Sequence, residues 1–517
     1  MSQKEEISEK VHSVTQTPSV AVGDTNDAVL HNAEKEFEDV TAVPGLTPEQ
    51  DRRLLRRIDL YLVPVMLFSY LFQTLDKQSL SFSSIMGLEQ DLHLTGGNYS
   101  WASSIYFLGY LVASYPASYL IVRLPVGKLI GGSCIVWGAV LLCTTACTNA
   151  KGLLAARFFL GVAEAAIAPS LAVLVSMWYK KSEQPLRHGV WFMGNVIALF
   201  FSSLLAYGIS FVNGRLYPWQ VLFLLFGGVT VLWGAALLYL LPDHPGTARF
   251  LTPEQRQQAI VRVAANMTSI KDEHFKLYQL LEGLRDVKLW LLFLIMASSS
   301  LANGLASFQS IIIKGFGFST VRTYLVQMIS TTFQAIFVLI ATIGSTYLPN
   351  TRTYFMMFNY TLGVIGAAMV WKLEATRLWA RFFGYCLCIA FSGNYPLIFA
   401  MSTANFAGFT KKATANAAIF VAYCAANVAS PQLFIAKEAP TYPSGFKACL
   451  ACISVSAAAS GALRFYLMWE NKRRDRMYGT AAAASGDDAA GTGEEVDVAL
   501  GLSDKTDFEL KQFRYAL

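Results

Sequence analysis

The chain has 517 residues, of which 54% are hydrophobic, 13% are aromatic and only 15% are charged, and its net charge is +6. Soluble domains carry about 25% charged residues, so this composition excludes an ordinary soluble protein and indicates a polytopic membrane protein. The basic residues cluster beside apolar stretches, as at Arg52, Arg53, Arg56 and Arg57. That placement is typical of a topology signal and argues against a nucleic-acid partner.

Both ends of the chain are polar. Residues 1–57 are acid-rich and contain no apolar stretch of the kind found in a signal peptide, so the first span is expected to act as the insertion signal. Residues 471–517 include a long run of alanine, glycine, aspartate and glutamate. The composition predicts disordered tails at both ends, and the positive-inside rule places both on the cytosolic side.

Between the tails, long apolar stretches predict twelve membrane-spanning helices. A bilayer core about 30 Å thick needs about 20 apolar residues per helix, and backbone groups in lipid must be bonded within the segment. In the first half, 58–241, we place the spans at 58–84, 99–121, 127–147, 153–178, 188–211 and 219–241. In the second half, 287–470, we place them at 287–311, 323–347, 353–371, 380–403, 413–436 and 446–469. The predicted fold class is all-α, with two pseudo-symmetric six-helix bundles, which is the plan of a secondary transporter.

A polar segment, 242–286, separates the two bundles and is predicted to be a cytosolic loop. Two prolines and a glycine in Pro242-Asp-His-Pro-Gly246 end the sixth span. Thr252 followed by Pro253 is typical of a helix start, with threonine as the N-cap and proline as the first helical residue. We expect a surface helix that joins the halves without carrying chemistry.

Charged residues inside a membrane are costly, so each is a functional candidate. The acidic residues placed well within spans are Asp76 and Glu164, and the basic residues there are Lys77 and Arg157. All six histidines fall in tails or loops, which excludes a buried histidine as the proton carrier. This distribution also argues against an integral-membrane enzyme.

Arg157, Gly161 and Glu164 share one face of the fourth span because their spacing is i, i+4, i+7. Arginine suits a substrate carboxylate through its planar fork, and Glu164 is the candidate proton carrier. Glycine on the same face would let a neighbouring helix approach. The alternative is that Arg157 and Glu164 form an ion pair that only stabilises the fold.

Asp76 and Lys77 are adjacent, so their side chains point about 100° apart on the first span. One is expected to face the cavity while the other pairs with a neighbouring helix. Lys77 is a candidate anion contact, with a snorkelling role at the interface as the alternative. Asp76 is a second candidate for proton coupling.

The second half offers amides in place of charges. Asn394 lies in Ser392-Gly-Asn-Tyr-Pro396, where glycine and proline interrupt the helix in a way associated with transporter binding sites. We predict that Asn394 contacts the substrate, that Tyr395 stacks on it, and that Asn303 contributes a further amide. A kink that serves only packing is the alternative, because buried amides often tie helices together.

No cofactor or metal site is predicted, because all eight cysteines lie in apolar runs, where cysteine acts as a small apolar filler. Asn98-Tyr-Ser100 is a glycosylation sequon in an expected outer loop, so Asn98 is a candidate glycosylation site.

Several segments resemble fungal members of the major facilitator superfamily, in the anion:cation symporter group that includes the allantoate permeases. In the first half they are Leu75-Asp-Lys-Gln-Ser-Leu-Ser81, Tyr106-Phe-Leu-Gly-Tyr110, Arg157-Phe-Phe-Leu-Gly-Val-Ala-Glu164 and Met177-Trp-Tyr-Lys-Lys-Ser-Glu183. In the second half they are Gly408-Phe-Thr-Lys-Lys412 and Asn427-Val-Ala-Ser-Pro-Gln432. The resemblance extends from about residue 58 to residue 469.

The resemblance implies proton-coupled uptake of a small organic anion, such as a carboxylate, vitamin or ureide, by a monomer in the plasma membrane. It implies substrate binding by Arg157 and Lys77 and proton coupling by Glu164. The chain departs from the wider family in the turn Val122-Arg-Leu-Pro-Val-Gly-Lys128, a poor copy of the gating motif. It also lacks, in the seventh span, the basic residue that some animal relatives use there. Two alternatives stay open: a carrier or exporter of a secondary metabolite, and a nutrient-sensing receptor that binds without net transport.

Overall fold

The structure is a computed structural model that describes residues 47–95, 97–180, 183–212, 214–267, 276–348, 350–374, 376–478, 505–510 and 513–517. Within these ranges all regular secondary structure is helical, which confirms the predicted class. Most of both predicted tails lies outside the described residues.

The first bundle contains six spans. Their helices are Pro48–Ser83 (span 1), Asn98–Arg123 (span 2), Val126–Thr144 (span 3), Ala150–Glu164 with Ile167–Trp178 (span 4), Gln184–Ile209 (span 5) and Pro218–Leu240 (span 6). Span 1 starts ten residues before the predicted position 58, because Thr47 caps it in a reciprocal pair of hydrogen bonds with Gln50. The basic residues before position 58 therefore form the first turns of this helix.

The second bundle repeats the plan with more interruptions. Its helices are Val287–Leu301, Gly304–Ser307 and Gln309–Gly315 (span 7), Thr320–Tyr347 (span 8), Arg352–Lys372 (span 9), Leu378–Cys388, Ile389–Asn394 and Tyr395–Asn405 (span 10), Phe409–Ala429 with Ser430–Leu433 (span 11), and Pro443–Tyr478 (span 12). Spans 7 and 10 are broken near the middle of the bundle, span 10 at the predicted Ser392–Pro396 segment.

Ten helices of the described chain are long and apolar enough to cross a membrane. Spans 2 and 5 complete the first bundle as helices of 26 residues each, a length of about 39 Å at 1.5 Å per residue. Serine and tyrosine residues lower the hydropathy of span 2, and several of them, including Tyr99, Ser103 and Tyr106, are buried against other helices at the site described below.

Each described helix of the connecting loop is bonded to one bundle. The helix Pro253–Met267 begins at the predicted residue, with Thr252 and Gln255 forming a capping box. Its Arg262 binds Asp51 at 2.7 Å and also Glu183 in the first bundle. The second loop helix, Leu277–Arg285, binds the second bundle through Gln279 and Glu282.

Because each bundle has an even number of spans, the start of span 1 and the end of span 12 lie on one face of the molecule. We call it the terminal face, and the opposite side the far face. The predicted disordered tail from 471 differs from the structure in two places. Span 12 continues to Tyr478, and residues 505–510 and 513–517 pack against the terminal face of the second bundle, because buried ionic contacts hold them there.

Candidate functional site

The site is built where spans 1, 2 and 4 approach closely. Gly161 permits this approach, since a Cβ atom at that position would lie 2.0 Å from the carbonyl oxygen of Tyr106 in span 2. The prediction that this glycine lets a neighbouring helix approach is confirmed. Arg157 and Glu164, on the same face of span 4, are 3% and 0% exposed, so neither side chain faces lipid.

Glu164 is the centre of the site. The hydroxyl of Tyr106 donates a hydrogen bond to its Oε2 atom at 2.7 Å, and the ammonium of Lys77 lies 4.0 Å from the same atom. The other oxygen, Oε1, is buried and accepts no hydrogen bond of good geometry from the described residues, although the Gln73 side chain interacts with this carboxyl group. One carboxylate oxygen is thus held by the protein, while the other remains available to a proton.

Lys77 is the reachable member of the group. Its side chain is 34% exposed, although it projects from the apolar part of span 1. Its ammonium lies 5.6 Å from the ring centre of Tyr106 and 5.8 Å from that of Tyr110. A partly exposed ammonium over aromatic faces can exchange a carboxylate partner for a ligand anion at modest cost.

The adjacent residue Asp76 points into the first bundle instead. It is fully buried, and its Oδ2 atom accepts hydrogen bonds from the indole of Trp137 in span 3 and, at 3.2 Å, from Thr230 in span 6. The structure therefore separates these two neighbours as the 100° geometry requires. Lys77 faces the space between bundles, and Asp76 joins spans 1, 3 and 6.

Arg157 lies deeper and nearer the far face than Glu164. Seven residues of helix separate the two, a rise of about 10 Å. The Nη2 atom of Arg157 donates to Ser79 at 3.4 Å, and its guanidinium lies 5.6 Å from the ring centre of Phe223. No ion pair joins Arg157 to Glu164 among the described residues. The alternative of a structural Arg157–Glu164 pair is therefore wrong for this conformation, and Lys77 is the charge partner of Glu164.

Aromatic side chains carry the contact between bundles beside Lys77. Tyr110 packs on Phe420 with ring centres 5.8 Å apart, and Phe107 meets Tyr423 at 6.0 Å. Tyr395, which the sequence proposed as a stacking residue, lies edge-on to Tyr423 at 6.1 Å. Span 11 thus brings its aromatic face against span 2, and Tyr395 adjoins that contact.

The far face is closed by hydrogen bonds between the bundles. Tyr99 donates to the carbonyl of Ser307 at 2.8 Å, and Ser103 donates to the hydroxyl of the same residue at 2.8 Å. On neighbouring helices Ser81 donates to Ser310 at 3.1 Å. These bonds join spans 1 and 2 to the distal pieces of span 7, so the two bundles are in contact on the far-face side of Lys77.

The amides of the second bundle are engaged in structure. Asn394 is fully buried; its oxygen accepts from Asn359 at 3.0 Å and its nitrogen donates to the carbonyl of Met356 at 3.0 Å. Both ends of its amide tie span 10 to span 9, so its contact with a substrate stays a prediction. Asn303 donates to Asn427 at 2.8 Å and remains half-buried at the break in span 7.

Asn98 is the first residue of span 2, and Tyr99 and Ser100 behind it are buried. Its glycosylation stays a prediction. Sequence reasoning missed Tyr106 and Ser79 as site residues. Tyr106 could have been found from the close approach at Gly161, but its partner depends on how spans 2 and 4 are rotated.

Known membrane transporters resemble this chain in sequence. The family profile described as Major Facilitator Superfamily matches residues 66–431. An uncharacterized transporter of Schizosaccharomyces pombe is 33% identical over an alignment covering 94% of this chain and 91% of the relative. The allantoate permease of Saccharomyces cerevisiae is 31% identical, covering 96% and 91% respectively.

Among solved structures, a bacterial homologue of the human lysosomal transporter Spinster, in an inward-facing and unoccupied conformation, has a TM-score of 0.61. The match covers 78% of this chain and 96% of that structure at 13% identity. At this identity the likeness concerns the fold.

Proposed function

The chain belongs to the major facilitator superfamily of membrane transporters, and on that premise we propose that it is a proton-coupled symporter of a small organic anion. The proposal rests mainly on the contact between Lys77 and Glu164 at the junction of the two bundles. A cation and a protonatable carboxyl at one point are the minimum needed to bind an anion and a proton together. The resemblance to an allantoate permease supports a carboxylate, vitamin or ureide as the solute.

The terminal face is proposed to be cytosolic, with the protein in the plasma membrane and working as a monomer. Arg53 and Arg57 in the first turns of span 1, and Arg473 and Arg476 in the last turns of span 12, lie at this face. Basic residues at span ends favour the cytosolic side. With this orientation the far face, which the hydrogen bonds of Tyr99 and Ser103 to Ser307 close, is external.

The substrate anion and the ionised carboxylate of Glu164 are proposed to compete for the Lys77 ammonium. When Glu164 is ionised, it attracts the Lys77 ammonium, and that contact weakens binding of a substrate carboxylate. A proton on the Oε1 atom removes the attraction while Tyr106 still holds Oε2. Lys77 is then free to bind the substrate, so the anion is carried only with the proton.

Arg157 is proposed to receive the substrate when the far face is open. It lies on the far-face side of Glu164, where the Tyr99–Ser307 contact now closes the route. Its planar fork suits a carboxylate, and Lys77 would take over as the far face closes. Asp76 is the second carboxyl that could carry a proton, and Asn303 and Tyr395 are proposed to border the substrate.

Uptake by proteoliposomes tests this proposal. The purified protein is assayed with a panel of radiolabelled organic acids under an imposed inward proton gradient. A substrate should accumulate above equilibrium, and a protonophore should abolish the accumulation. Accumulation that survives the protonophore would contradict proton coupling. Net movement of the substrate out of the liposomes, opposite to the inward flow of protons, would favour an exporter.

A further inference from the structure

The segment of residues 505–510 and 513–517, here called the C-terminal strap, lies across the terminal face of the second bundle. Asn405 at the end of span 10 exchanges two hydrogen bonds with Ala516, at 2.8 and 3.2 Å. Asn471 in span 12 exchanges two with Tyr515, both at 2.9 Å. Paired bonds of this kind fix the register of the strap on the spans beneath it.

The central contact of the strap is Asp507, whose side chain is fully buried. Its carboxylate binds the ammonium of Lys411 at 2.8 Å and that of Lys288, and it accepts a hydrogen bond from the hydroxyl of Tyr515 at 2.8 Å. The ring of Phe508 lies 3.6 Å from the Lys411 ammonium. We call Lys288 and Lys411 the lysine seat.

The lysine seat is complete only when Asp507 is present. An ammonium has three donors. Lys411 meets Glu282 at 2.9 Å, Asp286 at 3.0 Å and Asp507. Lys288 meets the carbonyl of Asn405 at 3.1 Å, Asp286 at 3.4 Å and Asp507. Both lysines are almost fully buried, so removing Asp507 leaves each with an unmatched donor, which is costly for a charged group.

Electrostatics favour the docked form at neutral pH. Burial alone would raise the pKa of the Asp507 carboxyl, but the ammonium groups of Lys288 and Lys411 hold that pKa below its usual range. Arg474 extends the arrangement by donating to the Tyr515 hydroxyl at 2.8 Å. The strap therefore presents an ionised carboxylate to two cations.

The lysine seat joins two of the spans that contact the first bundle. Lys288 is in the first turn of span 7, whose distal residues Ser307 and Ser310 close the far face. Lys411 is in the first turn of span 11, whose Phe420 packs on span 2. Span 7 is interrupted between Leu301 and Gly304, so the lysine seat holds the part of span 7 that lies on the terminal side of this break.

We propose that the C-terminal strap is a detachable brake, in which Asp507 is the anionic ligand of the lysine seat and docking stabilises the state with the far face closed. Docking fixes the terminal ends of spans 7 and 11 to each other. Opening of the far face requires span 7 to bend at its break, and the docked strap opposes that bend. The effect on transport rests on the transport function proposed above.

A reversible cross-link tests whether the strap must detach. The full-length Asn405→Cys/Ala516→Cys variant is treated with a short bifunctional methanethiosulfonate in proteoliposomes, and mass spectrometry verifies the linked peptide. The locked protein should lose at least about fivefold in transport rate, and a reductant should restore it. The single-cysteine variants, treated identically, are the controls. An unchanged rate in the locked protein would overturn the proposal.

Release of the strap tests the opposite direction. Asp507→Asn removes the negative charge that meets the lysine seat. Lys505→Gln changes an exposed residue of the same segment and is the matched control. In a Ser104→Cys background, labelling of the cysteine from the far face should rise by about threefold in Asp507→Asn relative to the control. The initial transport rate should rise as well.

Two outcomes would refute the brake. Asp507→Asn could equal Lys505→Gln in labelling and in rate, which would make the contact irrelevant to the cycle. It could also lower the rate together with the melting temperature, which would make the strap a structural support. The labelling assay requires no substrate, so it still tests the brake if none of the organic acids is transported.

Discussion

Replacing Glu164 with glutamine separates proton coupling from substrate binding at a single atom. Glutamine keeps the length and shape of the side chain, and its oxygen can still accept the hydrogen bond that Tyr106 donates at 2.7 Å. It cannot carry a proton, and it has no charge to attract Lys77. We expect Glu164→Gln to lose uphill transport while retaining exchange.

The expected loss of substrate accumulation depends on how many carboxyl groups carry a proton with each anion. One proton transported with one monovalent anion moves no net charge, so only the pH gradient drives uptake. Each pH unit corresponds to about 1.4 kcal/mol, or about tenfold in accumulation. With a gradient of about one unit, the ratio should fall from about tenfold to about onefold. If Asp76 carries a second proton, the membrane potential contributes about 2.3 kcal/mol per 100 mV, and clamping it with valinomycin reveals that contribution.

In contrast to accumulation, which should fall, the affinity of Glu164→Gln for the substrate should rise. The ammonium of Lys77 is 4.0 Å from Glu164 Oε2, and unit charges at about 4 Å attract by about 1 kcal/mol in water and about 4 kcal/mol at an effective dielectric constant of 20. Lys77 is one-third exposed, so solvent screening favours the lower value. Freeing it from Glu164 should lower the KM for exchange by about fivefold to tenfold.

The assay compares uphill uptake and counterflow in proteoliposomes of equal protein content. Glu254→Gln, at an exposed position on the loop helix, is the matched control and should behave as the unmodified protein. Full proton-driven accumulation by Glu164→Gln would refute the assignment of Glu164. Loss of both accumulation and counterflow at normal folding would show that exchange itself requires the carboxyl group, contrary to the competition mechanism.

Three further predictions concern packing, binding and pH. Gly161→Ala should destabilise the protein by about 1–3 kcal/mol, because the new Cβ would meet the Tyr106 carbonyl, whereas Gly132→Ala enters open space; equal melting temperatures of the two would contradict this. Arg157→Lys should raise the KM by about tenfold at unchanged expression, because lysine lacks the bidentate fork; an unaltered KM would remove Arg157 from the substrate path. The pKa of Asp507 is lowered in the folded protein. Its ionic contact therefore stabilises the docked strap fully at pH values above the pKa of an unfolded aspartate, about 4, and this stabilisation is lost as the pH falls through the lower pKa of the folded state. Limited proteolysis of the strap should therefore be constant between about pH 5 and 8, and cleavage that rises within that range would contradict the ionic contact.

Local rules account for much of the architecture. The apolar stretches predicted the spans because lipid leaves a helix no external partner for its backbone, and the Thr252–Pro253 signal located a helix start because capping depends on a few adjacent residues. The i, i+4, i+7 spacing placed Arg157, Gly161 and Glu164 on one buried face for the same reason. These features depend on residues close together in the chain.

Partners between helices could not be obtained in this way. The sequence identified Glu164 and Lys77 as candidates, but their contact depends on the rotation and depth of spans 1 and 4. Asn394 lies in a helix break, as expected, yet span 9 binds both ends of its amide, and no local pattern records that neighbour. The strap shows the same limit, because a polar tail composition gives no sign that Asp507 meets two lysines more than 90 residues away in the chain. The sequence by itself determined where helices form and which charges lie well within the spans, since these follow from hydropathy and periodicity. Only the tertiary structure decided which buried charges meet, because ion pairs require atoms of distant segments to come within about 4 Å.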